Sequence, residues 1–334
     1  MIELELKGTA YYLPERWEEL TPEQFLFLLD LLDDYAQGKR EARAVGINFA
    51  MHVLGIKKPV ALTRKQRQQY YENLGWLGEM ASFWWKVVYV NPELLESIDP
   101  ELREKLRIIL PEDMPDTPEV RVLRRAKKYL EPDFSYTCNL LPSIKAGNIK
   151  YTGYRFGMDA GLLSSDLVAG QFADAMTVAG QYGATRQPEL LNHLCSILYR
   201  KFGQLSYEPV QAHANAHVFS KVSERIKQAV YLNFIGIREY LTMRTHYAVL
   251  FKRETGEQKT PTITVGFNDN LYSLAKSGYG DAEKLKQFNL FTFYDLMLKE
   301  LIDAIKQMKQ MDMEVDRILS STGLSFAQYK QLAP

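Results

Sequence analysis

Tyr294-Asp-Leu-Met297-Leu-Lys-Glu-Leu301-Ile-Asp-Ala304-Ile-Lys-Gln-Met308-Lys-Gln-Met311-Asp-Met-Glu-Val315-Asp-Arg-Ile318 carries a 4-3 rhythm of apolar residues. Tyr294, Met297, Leu301, Ala304, Met308, Met311, Val315 and Ile318 fall at alternating steps of three and four. That spacing places them on one seam of a helix, predicted to start near Thr292 and to run unbroken through Ile318. Leu298 and Ile305 widen the stripe, which suits a multi-helix bundle better than a two-stranded coil. The stripe reads first as the core-facing side of such a bundle. Its methionines also make it a surface that can repack against varied partners. Met297, Leu301, Met308, Met311 and Val315 are therefore the candidate interaction surface, for a protein partner or a second copy.

Working outward, helices dominate the pattern. Thr21-Pro22-Glu23-Gln24 and Thr63-Arg64-Lys65-Gln66 are capping boxes that open helices. Phe25, Leu28, Leu29 and Leu32 supply the first buried stripe, and Gly38 is a terminator. A second helix is predicted from about Glu41 to Leu54, and Trp84-Trp85 anchors a core or an interface. Further helices are predicted from Thr117-Pro118 to Leu130, from Ser165 past Ala179, from Pro188 to Tyr199, over 210–222 and over 223–245. Strands are fewer. Residues 2–7 alternate as a strand, and β-formers over 134–156 flank the turn Ala146-Gly147-Asn148, predicting a hairpin. Residues 247–252 and 262–267 read as a second strand pair. The fold class expected is mainly α, a multi-helix bundle with small β-hairpin insertions.

The Pro- and acid-rich stretch 111–118 is the best linker, and the chain divides into three parts: 1–112, 113–254 and 255–334. The chain is 46% hydrophobic and 12% aromatic, enough for packed cores rather than wholesale disorder. Lys plus Arg and Asp plus Glu are 41 each, so the formal charge is zero. That balance disfavours a non-specific nucleic-acid binder and lowers repulsion between copies. Cys138 and Cys195 show no metal or disulfide spacing. The N-terminus has no apolar leader, and no apolar run is long enough to span a bilayer. A cytoplasmic protein without a membrane segment is the expectation.

Chemistry-bearing patterns are sparse. His213-Ala-Asn-Ala-His217 places two histidines at i and i+4, the spacing of a metal-binding helix face. Ala214 stands where a zincin has its glutamate, and no third ligand is marked. A metal-dependent or hydrolytic enzyme around His213 and His217 is one alternative function. His52, His193 and His246 sit singly. No nucleophile elbow or phosphate-binding glycine loop is present; Gly278-Tyr-Gly280 lies between helices. Arg121, Arg124, Arg125, Lys127 and Lys128 crowd one predicted helix, and Arg64, Lys65 and Arg67 precede Tyr70 and Tyr71. A nucleic-acid-binding module using 121–128 is the second alternative, although the basic face is also what a solvated helix presents. The residues mark no catalytic set, cofactor or metal site.

Three stretches carry a resemblance. They are Leu-Pro-Glu-Arg-Trp-Glu-Glu-Leu-Thr at 13–21, Leu-Asn-His-Leu-Cys-Ser-Ile-Leu-Tyr-Arg at 191–200, and Leu-Tyr-Ser-Leu-Ala-Lys-Ser-Gly-Tyr-Gly at 271–280. Together the chain resembles uncharacterised proteins of prophage and mobile-element structural modules, near tail genes. The resemblance implies a non-enzymatic structural or assembly role, as a phage-tail-module component or tail assembly chaperone. It implies incorporation in a phage-like particle.

Overall fold

The computed structural model describes residues 1–6, 9–57, 61–99, 101–102, 116–159, 161–201, 206–251 and 267–332. Among them are thirteen α-helices and nine short strands, the strands arranged in four small antiparallel sheets. The chain is thus mainly helical. None of the described helices is long and apolar enough to cross a membrane. Two compact units divide it, Met1–Phe134 and Ser135–Pro334.

In the first unit, β1 (Ile2–Leu6) turns back onto β2 (Thr9–Leu13), with Leu4 opposite Tyr11. Helix α1 (Pro22–Ala36) starts at the capping box: Gln24 N–H donates to the Thr21 hydroxyl, and Thr21 N–H donates to the Gln24 side chain. Phe25, Leu28, Leu31 and Leu32 form its buried stripe. Helices α2 (Ala42–Val53) and α3 (Arg64–Met80) cross at Gly46 and Gly78. Trp84 is fully buried, with Phe49 edge-on at 5.0 Å and Phe83 at 4.8 Å. Its Nε1–H has no acceptor among the described residues.

Helix α4 (Pro118–Arg125) is capped by Thr117 but stops short of the expected Leu130. Lys127 takes a left-handed conformation at φ 48, and the chain continues as β4 (Lys128–Pro132). β4 pairs with β3 (Trp85–Tyr89), Leu130 opposite Val87. This pairing draws 116–134 into the N-terminal unit, so the division falls after Phe134 rather than near 112 and 254. Residues 111–115 of the expected linker lie outside the described residues.

In the second unit, β5 (Ser143–Ala146) and β6 (Ile149–Gly153) form the expected hairpin around Gly147 at φ 61. Two strands not anticipated come next, β7 (Phe156–Asp159) and β8 (Leu162–Ser165). After helices α5 (Ala169–Thr185) and α6 (Pro188–Leu198), β9 (Tyr199–Lys201) adds a third strand beside β6. The helix expected over 210–222 is broken. α7 (Pro209–Asn215) gives way to a 3-10 segment, Ala216–Lys221, before α8 (Glu224–Arg244).

The strand expected at 247–252 is instead a 3-10 turn, His246–Leu250, because the Thr245 hydroxyl caps Tyr247 N–H and Tyr247 bonds Asp295. Residues 262–266 of its supposed partner lie outside the described residues, and Phe267 begins α9 (Phe267–Lys276). α10 (Ala282–Lys286) lies just beyond it. Phe172, Phe234, Phe293 and Tyr294 pack the core of this unit. Within that core, Asn233 bonds the backbone of Leu140 and Cys138.

The long unbroken seam helix expected from the 4-3 pattern is not formed. α11 (Leu290–Gln310) is separated from α12 (Val315–Thr322) by a short break, and α13 (Phe326–Leu332) closes the chain. Asp312, at φ 53, supplies the left-handed residue that glycine usually provides. Met313 N–H donates to Met308 O at 3.1 Å and Asp312 N–H to Lys309 O at 3.0 Å, the Schellman pair that ends a helix. The stop carries neither glycine nor proline, so the 4-3 pattern runs through it unmarked. Ile318 folds back into one cluster with Ile305, Leu324 and Tyr329.

Candidate functional site

Three features of the second unit build a cleft. Arg186, left-handed at φ 57, ends α5, and Pro188 opens α6 immediately after, so two helices leave one tight corner. Pro209 opens α7. Helices α5, α6 and α7 border a cavity of about 380 Å³, lined by Asp174, Gln181, His193, Ser196, Tyr207 and His213 among others. The Tyr207 hydroxyl donates to Asp174 Oδ2 at 2.6 Å. Burial first, and the Asp174 carboxylate second, push the phenol pKa up, so Tyr207 stays protonated. The His193 and His213 rings lie 4.9 Å apart between centroids, inclined by 59°. Burial lowers the His193 pKa from its ordinary 6.5, and the neighbouring His213 charge adds to this. Ser196 Oγ donates back to the His193 carbonyl at 2.8 Å.

The pair singled out by spacing is therefore replaced by another. α7 ends at Asn215, between His213 and His217, and the tighter 3-10 turn carries His217 off the helical face. His217 Nδ1 bonds the Ala214 carbonyl at 2.8 Å. His213 meets His193 instead, a partner on another helix that no local spacing announces. His52 stacks on Phe27 at 3.9 Å, and His246 lies 3.9 Å from the Tyr247 ring. Cys138 and Cys195 are not joined in a disulfide; burial pushes Cys195 up to about 12, which keeps it inert at neutral pH. Among the described residues no group of three His, Cys, Asp or Glu is placed to hold one ion.

The basic cluster is dispersed in a similar way. Arg121 Nε and Arg124 Nη1 both donate to Asp116, at 3.1 and 2.9 Å. Lys128 leaves the helix for β4 and is only 6% exposed. Val120, Leu123 and Ala126 face a core cluster with Leu95 and Ile98. Of the five charges expected on one helix, Arg125 and Lys127 stay exposed without an Asp116 contact.

The seam residues divide. Leu301 and Met308 pack on the Ile305–Ile318 cluster, and Met297 is half-buried. Met311 is 66% exposed and Val315 37%. A groove of about 730 Å³ runs between the C-terminal helices and the 246–250 turn, and neither Met311 nor Val315 lines it. Met243, Val249, Phe251, Leu298, Leu324 and Leu332 line it, with amides from Gln328 and Gln331. Among its described lining residues none is Asp, Glu, Lys or Arg, and His246 is the one that can ionise. No family model matches this chain, and no curated protein and no solved structure matches it either.

Proposed function

We propose that the chain is a non-enzymatic assembly protein, which holds an apolar segment of a protein partner against its C-terminal helices. The observation that carries the proposal is the lining of the 730 Å³ groove, which among the described residues holds no Asp, Glu, Lys or Arg and sets Met243, Val249, Leu298, Leu324 and Leu332 beside neutral amides and hydroxyls. Its size is in the range of pockets that bury specific groups. A charged metabolite or a phosphate backbone would lose hydration there without gaining an ionic partner. Apolar anchors from one helix or extended segment suit such walls, and the Gln328 and Gln331 amides suit the backbone between anchors. In this proposal α11 to α13 act as a small bundle with one open side. The likeness of stretches 13–21, 191–200 and 271–280 to prophage tail-module proteins supplies the setting: synthesis in the cytoplasm, then assembly into or onto a phage-like particle.

Met243→Asp tests this reading. Met243 is 56% exposed, so its loss changes stability by no more than about 0.5 kcal/mol. The expected outcome is an unchanged melting temperature together with lost co-purification of a partner encoded in the same structural module. Retained partner binding in Met243→Asp overturns the groove assignment. A concentration-dependent mass that Met243→Asp abolishes would make the occupant a second copy.

A further inference from the structure

We infer that His193 and His213 form a two-histidine site for one divalent transition-metal ion of the zinc, nickel or copper class. The rings come from different helices, α6 and α7, and meet in the cleft with centroids 4.9 Å apart. A tetrahedral ion held at about 2.0 Å by each ring nitrogen requires a centroid separation of about 5 Å. The 59° inclination matters as much. Face-to-face rings cannot aim two nitrogens at one point, whereas inclined rings can. Neither ring nitrogen is engaged in a hydrogen bond among the described residues. Partial burial already favours neutral imidazole at His193, and neutral imidazole is the ligating form.

The rest of the cleft fits an open site rather than a closed one. No third His, Cys, Asp or Glu converges on the pair among the described residues, so water completes the coordination sphere. The cavity of about 380 Å³ has room for it. Asp174 lies in the same cleft and accepts from Tyr207; its carboxylate adds negative potential without being a ligand. Two imidazoles with water select zinc, nickel or copper over magnesium or calcium, which prefer all-oxygen sites. His213 is exposed, so the ion exchanges with solvent.

Calorimetric titration of the full chain with zinc and nickel chlorides tests the inference, with magnesium as reference. One ion per chain is expected for zinc and nickel, and none for magnesium. A cobalt titration gives a visible absorption band that reports imidazole coordination. His213→Ala, at an exposed position, loses the band and the binding while the protein stays folded. His193→Ala loses both as well, and His217→Ala retains them. Absence of binding in the parent chain overturns the inference and leaves the pair as a packing contact. So does binding that survives in both His193→Ala and His213→Ala, or that disappears in His217→Ala.

Discussion

Helices α2 and α3 of the N-terminal unit meet backbone to backbone, whereas several helices of the C-terminal unit border a cleft and a groove. At the first contact a Cβ on Gly46 would overlap the Gly78 carbonyl oxygen, and a Cβ on Gly78 would lie 2.7 Å from Ile47 N. At the second, volumes of about 380 and 730 Å³ lie between side chains of the bordering elements. A backbone contact cannot relax by rotamer change, but a side-chain contact can. The two units should therefore differ in how they answer substitution, one brittle and the other compliant.

The largest effect expected is that of Gly46→Ala. The added methyl meets main chain, so the helices must separate, at a cost of about 3 kcal/mol. Urea denaturation followed by tryptophan fluorescence should show a lowered midpoint for the unit containing Trp84. Gly180→Ala is the counterpart on α5, where a Cβ meets nothing within 4 Å. It should leave stability unchanged or raise it by up to about 1 kcal/mol. If Gly46→Ala is as stable as the parent, the contrast between the two units fails at its sharper end.

Next in size is Ile305→Ala. Ile305 and Ile318 are both fully buried in the C-terminal cluster, but their neighbours Met308, Met313 and Leu319 are only partly buried. Those flexible side chains can collapse into the vacated space, so the cost should sit near the low end for such truncations, about 2 kcal/mol. Hydrogen exchange should locate it: amides across 301–332 exchange faster, while those of α2 and α3 do not change. Equal acceleration in both units would mean that the cluster is not a local one.

Local rules explain which parts of this fold are legible in the sequence. Capping boxes at Thr21 and Thr63, the Gly38 stop and the Gly147 turn act within a few residues, and each stands where the pattern places it. Two of the errors occur where a non-glycine residue takes a left-handed conformation. Lys127 turns a helix into β4, and Asp312 ends α11 inside an intact 4-3 pattern. Neither residue announces itself, because tertiary contacts made further along the chain impose the conformation: β4 pairs with β3, and Ile318 seats on Ile305. The site is less legible still. His213 is visible as half of an i, i+4 pair, but its actual neighbour His193 comes from α6. Only the corner at Arg186 to Pro188 and the start of α7 at Pro209 bring the two rings together.

The smallest effect expected concerns the compliant side of the contrast, and acid exposes it. His193 has its pKa lowered below the ordinary 6.5, first by burial and then by His213. Between its folded and unfolded pKa values the unfolded chain binds more protons than the folded one. Stability is then fully present above about pH 7 and falls as pH drops through 6.5 toward the folded value. Urea midpoints of the parent at pH 7.5 and pH 5 should differ by more than those of His193→Gln, which has no proton to gain. His213→Gln should reduce the slope without abolishing it, because burial is the larger cause. Identical slopes in parent and His193→Gln would mean that the cleft already admits enough water to solvate a charged ring. The C-terminal unit would then be open to solvent at this cleft as well as compliant in its packing.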